Sequence, residues 1–126
     1  MHPAFYKKRV GKNQRGFNVA EIETVIQDNI HSFLKKLRHA GYQISSAYIF
    51  GSYVSGQMDE WSDIDVAIVS PQLSDDRFEE RIRLTEIAIS INDRIEPLPF
   101  SLDSFTDDNP LVRQIKTNGL LIEGCV

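Results

Sequence analysis

Sulfur and long apolar runs are scarce in this sequence, and each scarcity removes a class of protein. Cys125 is the only cysteine. It has no partner for an internal disulfide, and beside the last residue an inert thiol is its plain reading. Such cysteine usage agrees with a reducing cytoplasm, the expected location. No stretch approaches the roughly eighteen apolar residues of a membrane span, so no membrane association is expected. The first residues hold no apolar core of the kind a secretory signal needs, and none is expected. His31 and His39 miss the i, i+4 spacing of a helical metal pair, which leaves them as surface histidines. There is no internal repeat and no low-complexity stretch.

Acids are missing from residues 1–16, which carry Lys7, Lys8, Arg9, Lys12 and Arg15. With five of the 14 Lys and Arg there and none of the 18 Asp and Glu, the other 110 residues carry a net −9. A basic arm, residues 1–17, on an acidic body is one pattern for contact with an acidic partner; a solvated tail is the other. The acidic body argues against charge-driven RNA binding, so no direct nucleic-acid contact is expected. The 126 residues suit one domain, with one core and no room for a large second substrate domain. That domain is taken as residues 18–126.

Asn18, with Glu21 three residues on, reads as a capping box. Val19, Ile22, Ile26, Ile30, Phe33, Leu34 and Leu37 then recur at helical spacing. Gly41 is the expected end of a helix over about 19–40. A strand follows over about 44–50, then a Gly51-Ser52 turn and a short helix or turn over 52–57. Residues 58–62 form a polar connection containing Trp61, read as a structural shield. The second strand covers about 64–69 and stops at Pro71. Ser74 is the cap candidate of a helix over about 75–90, with Phe78, Ile82, Thr85, Ala88 and Ile89 as its apolar face. A third strand is expected at 94–100, with Pro97 and Pro99 confining it to an edge. Asn109-Pro110 opens a helix through about 117, and Gly119 ends it. Leu120-Leu121-Ile122 is a last apolar segment. The alternation argues for an α/β domain, a small mixed β-sheet with helices packed against it.

Gly51, Ser52, Asp63 and Asp65 spell G-S-x10-D-x-D between two predicted strands. Side chains alternate along a strand, so Asp63 and Asp65 share a face while Ile64, Val66 and Ile68 point into a core. Ala67 and Val69 continue the acid face, and a helix must cover them. Two carboxylates on one face suit Mg²⁺, a hard cation that keeps positions open for phosphate oxygens. A metal pair stabilises both the entering and the leaving oxygen of an in-line phosphoryl displacement. A Gly-Ser turn lets backbone approach a phosphate and offers N–H groups and a hydroxyl. Glu96, in the third predicted strand, is the best candidate for a third acid that completes the metal site and accepts a proton. Ser62 reads equally as a turn residue or as one that orients the nucleotide. Alone, D-x-D or Gly-Ser is an ordinary surface feature. The combination at strand ends is what carries the chemistry.

Phe50-Gly51-Ser52 through Ser62-Asp63-Ile64-Asp65-Val66 resembles the signature of the minimal nucleotidyltransferases, of the DNA polymerase beta-like superfamily. Ile95-Glu96-Pro97-Leu98-Pro99 is similar to the strand with that family's third acid. Asn109-Pro110-Leu111, with Ile115 and Gly119, resembles its C-terminal helix. The resemblance spans roughly residues 20–124 and implies the nucleotidyltransferase fold. It implies transfer of AMP from ATP to a hydroxyl, dependent on two Mg²⁺ ions, with pyrophosphate released. Gly51, Ser52 and Ser62 would then hold the nucleotide, and Asp63, Asp65 and Glu96 would bind metal and carry the catalysis. Glu96 departs from the usual aspartate, and Ser55 stands where an arginine is usual. Small members of the family pair with HEPN-domain toxins in hetero-oligomers and neutralise them by attaching AMP, often to a tyrosine, and by direct binding.

Three readings follow. The first is an enzyme that adenylylates a protein partner. The second is a binding module of the same fold that neutralises its partner by occlusion. The third transfers nucleotide to a small molecule such as an aminoglycoside, and the short chain argues against it. A polymerase or tRNA-end enzyme is disfavoured for the same reason and by the acidic body.

Overall fold

The computed structural model describes residues 16–55, 62–74 and 76–124. The basic arm up to residue 15, the connection through Trp61, and Cys125 lie outside the described residues. So do the side chains of residues 16–23 and of Tyr53 and Ser55.

Helix α1 runs over Gly16–His39. Its apolar row forms because Ile26, Ile30, Phe33, Leu34 and Leu37 return to one face every three or four residues, and all are buried. Its end is made by Gly41, whose φ of +103° is open to glycine at little cost. There the Tyr42 N–H donates to the Leu37 carbonyl and the Gly41 N–H to that of Arg38, each at 3.0 Å, closing the orphan carbonyls. The helix starts at Gly16, before Asn18, so the expected capping box does not mark its beginning. One side-chain cap is worth about 1 kcal/mol and does not bar preceding residues from the helix.

Among the described residues four strands form one sheet in the order β3-β2-β1-β4. β1 is Ser46–Phe50, β2 Ile64–Val69, β3 Ile95–Phe100 and β4 Leu120–Gly124. β1 pairs antiparallel with both β2 and β4, whereas β2 and β3 are parallel. The final apolar segment is therefore an edge strand. At the other edge β3 carries Pro97 and Pro99; residues two apart aim their backbone nitrogens the same way, so both missing donors face away from β2. The short helix α2, Ser52–Ser55, follows β1.

The crossover between the parallel strands is helix α3, Arg77–Ile89. Together α1 and α3 cover one face of the sheet, burying Ala47, Ile49, Ile64, Val66, Ile68 and Ile95 with Leu84 and Ala88. Helix α4, Pro110–Asn118, covers the other with Val112 and Ile115 against Tyr48, Ala67, Val69 and Phe100. The expectation that a helix covers Ala67 and Val69 is met. Asn109 caps α4 by accepting from the Leu111 N–H at 2.9 Å, with Pro110 opening the helix, as expected.

Helix α3 corrects two expectations. Its cap is Asp76, which accepts from the Glu79 N–H at 3.2 Å, whereas Ser74 accepts from the Asp76 N–H just outside the helix. Its buried row is Glu80, Leu84 and Ala88, and Phe78 is 76% exposed with Ile82 and Ile89 also outside. The reason is Glu80. Its carboxylate is buried yet satisfied, by the Ser74 N–H at 2.9 Å and Arg83 at 3.0 Å, so a charged residue occupies the row that faces the core.

Candidate active site

The site forms where β1 ends and β2 begins. Leaving β1, the chain turns at Gly51 with φ +78°, and the Val54 N–H donates to the Gly51 carbonyl at 3.1 Å to start α2. Phe50 and Asp65 are register partners across the β1–β2 pair, which brings Gly51 onto the acid. A side chain at Gly51 would place its Cβ 2.3 Å from Asp65 Oδ2. The turn therefore needs glycine twice, for its backbone angle and for the space that the Asp65 carboxylate fills. Ser52 opens α2 and is half-buried.

On its other side Asp65 is the register partner of Glu96 in β3. Asp63 sits just before β2 and is exposed, and Asp65 is half-buried. The Asp65 carboxyl is pushed above the ordinary carboxylate range, first by burial, then by the charges of Glu96 and Asp63, with Arg81 opposing. Three acids thus gather unfavourable negative charge at one strand end, an arrangement that a bound cation relieves. Among the described residues no group of three His, Cys, Asp or Glu side chains stands close enough together to hold a metal ion. Glu96 instead meets Arg81 of α3, whose Nη2 donates to Glu96 Oε1 at 3.2 Å.

The start of β2 is tied to β3 by backbone and side chain. The Ile64 N–H donates to the Arg94 carbonyl at 2.7 Å, and Arg94 Nε donates to the Ser62 carbonyl at 3.0 Å. Asn92 extends this tie, accepting from the Arg94 N–H at 2.9 Å and donating to Asn29 of α1 at 2.9 Å. Ser62 is held by its backbone in this tie. Arg81, Arg94 and Asn92 had escaped sequence reasoning. Arg94 lies two residues before Glu96 and was within reach of it; Arg81 becomes visible only once the true packing face of α3 is known.

Residues 30–108 match the family of the nucleotidyltransferase domain. No curated protein matches the chain. Among solved structures, a candidate nucleotidyltransferase from Sulfolobus solfataricus is 15% identical, with 89% of each chain covered and a TM-score of 0.56. A tyrosine mutant of the toxin–antitoxin pair MntA–HpeT is 26% identical over 75% of this chain and 72% of its own, with a TM-score of 0.55. A toxin–antitoxin complex with AMP-PNP is 22% identical over 79% and 73%, with a TM-score of 0.53. These likenesses are ones of fold, a four-stranded mixed sheet with helices packed on it.

Proposed function

Because the chain belongs to the nucleotidyltransferase domain family, we propose that it transfers AMP from ATP to a hydroxyl of a HEPN-domain toxin and so acts as its antitoxin. The observation that carries the reading is the contact of Asp65 with the Gly51 turn, with Glu96 in register beside it. A carboxylate set against a turn that admits no side chain is an arrangement suited to a nucleotide's phosphates and their counter-cation. The toxin–antitoxin complexes of similar fold, one of them with AMP-PNP, support the choice of partner and nucleotide.

Carboxylate oxygens suit Mg²⁺, and a cation would relieve the strain that burial and neighbouring carboxylates put on an ionised Asp65, but the three acids would have to draw closer together to hold one. Asp63, Asp65 and Glu96 would hold it, and it supplies charge neutralisation at the triphosphate. In this reading the Ser52 hydroxyl and the N–H groups of the Gly51 turn hold the phosphates. Arg94 keeps Ser62, and with it Asp63, in place at the start of β2. The acceptor oxygen, taken to be a tyrosine hydroxyl, attacks the α-phosphorus. Its O–P bond forms as the bond to pyrophosphate breaks, and Glu96, on the edge strand, takes the proton. Pyrophosphate leaves. A hetero-oligomer with the toxin, in the cytoplasm, belongs to the same reading.

A second reading, a binding module that neutralises its partner without transfer, is favoured by the Arg81–Glu96 pair and by Ser55 in place of the family's usual arginine. Incubation with α-labelled ATP, Mg²⁺ and the HEPN partner separates the two. Label is expected on the partner with wild type and not with Asp63→Ala/Asp65→Ala. An unlabelled partner, neutralised equally by both proteins, refutes the enzyme and leaves the binding module.

A further inference from the structure

The outer side of α3 carries a stripe that the described residues leave outside both cores. Phe78, Ile82, Thr85 and Ile89 stand four, three and four residues apart, and a helix turn of 3.6 residues brings them within about 60° of one another. That is the spacing of a coiled-coil seam, with Ile82 and Ile89 at its a positions and Phe78 and Thr85 at its d positions. The buried row of Glu80, Leu84 and Ala88 lies elsewhere on the helix. Phe78 is 76% exposed, Ile82 44% and Ile89 56%. Single apolar residues on a surface are ordinary, but three along one seam, running the full length of a helix, mark a contact surface.

Charge flanks the stripe unevenly. Glu79 and Glu86 stand at its e positions, on one side, and Arg81 at a g position, on the other. The bond from Arg81 to Glu96 takes one donor of a guanidinium that has five, and the side chain stays 47% exposed. Two copies with their α3 helices parallel about a two-fold axis set Arg81 of each against Glu86 of the other, the g-to-e pairing, twice by symmetry. Laid antiparallel, the same stripe sets Glu79 of each against Glu86 of the other, like charge on like. Isoleucine at a is also the choice of parallel two-stranded pairs. At the neighbouring edge of the sheet Pro97 and Pro99 withhold their donors from the outward side of β3, so a second copy finds no strand to extend there.

We propose that this face of α3 is a self-association surface, on which a second copy of the chain docks with its own α3 parallel. The chain carries both halves of the match: an apolar seam, acids on one flank and an arginine on the other. The three apolar side chains expose on the order of 300 Å² per copy. That is under half of the roughly 800 Å² that each partner gives a standard interface, so the dimer is weak and reversible.

Sedimentation equilibrium of the full chain across a concentration series tests it. Wild type is expected to dimerise with a Kd on the order of 100 µM. F78S, which melts with wild type in dilute solution, is expected to dimerise at least about tenfold more weakly, since each dimer loses two rings. E86R and R81E are each expected to weaken it about fivefold, and an equimolar mixture of the two to associate about as tightly as wild type, because both junctions then join opposite charges. Should R81E melt early, F78S and E86R decide alone. A wild type that stays monomeric at about 1 mM overturns the proposal, and so does F78S that dimerises as well as wild type. An E86R that dimerises more tightly overturns it too, because only an antiparallel pairing relieves Glu79 in that way. A monomeric wild type whose capture of the HEPN partner fails in F78S assigns the stripe to that partner and equally overturns it.

Discussion

Substituting Gly51 by alanine strikes the contact on which the site is built. The φ of +78° at Gly51 costs an L-residue about 1–2 kcal/mol. The new Cβ would stand 2.3 Å from Asp65 Oδ2 and 3.2 Å from its Cγ, so the carboxylate must leave its position. Moving a half-buried side chain off its rotamer adds about 0.5–1.5 kcal/mol. Alanine stiffens the unfolded chain and returns about 0.4–1 kcal/mol. The net loss is about 2 kcal/mol, which for a domain of this size lowers the melting temperature by about 6–10 °C. Thermal unfolding followed by circular dichroism measures it. Asp65→Ala removes the obstructing carboxylate, so Gly51→Ala is expected to cost about 1 kcal/mol less in that background, a coupling that a double-mutant cycle isolates. If Gly51→Ala melts with wild type, or costs the same with and without the Asp65 carboxylate, the packing of the turn on the acid is refuted.

Three further outcomes are expected. Phe78→Ser changes stability by no more than about 0.5 kcal/mol, whereas Leu84→Ala on the buried row costs about 2–5 kcal/mol; urea unfolding of both checks which face of α3 is inside. Asp65 holds its proton more strongly folded than unfolded, so its contribution to stability is present at low pH and lost as pH rises through the raised folded value. Metal-free Asp65→Asn is therefore expected to melt above wild type at neutral pH, the gap closing as pH falls toward the ordinary 3.8, which a series of melts across pH tests. Asn109→Ala removes the α4 cap and costs about 1 kcal/mol, read as a lower urea midpoint with unchanged slope.

Much of the fold is legible because its signals are local. Gly41 and Asn109-Pro110 mark helix ends by chemistry confined to a few residues, and both stand where that chemistry requires. The two-residue period of β2 separates Asp63 and Asp65 from Ile64, Val66 and Ile68, and the two cores divide along the same line. What escaped the sequence was non-local. The face of α3 turned on Glu80, which reads as a surface acid until Ser74 and Arg83 are seen to satisfy it. The parallel β2–β3 register that sets Glu96 beside Asp65 depends on the whole crossover, and so does the reach of Arg81. Asn18 shows the opposite error, a local cap signal that the helix overrides. Of the candidate residues, Gly51, Asp65 and Glu96 come together as neighbours, Asp63 joins them as a charge, Ser52 follows the turn, and Ser62 is held through its backbone.

These carboxylates are proposed to serve nucleotide transfer to a protein. Its most direct measurement is the intact mass of the HEPN partner after incubation with the full chain, ATP and Mg²⁺, with released pyrophosphate counted in the same reaction. A mass rise in whole units of AMP is expected, with one pyrophosphate for each unit and neither product with Asp63→Asn/Asp65→Asn. A partner of unchanged mass, neutralised as well by that variant as by wild type, contradicts it.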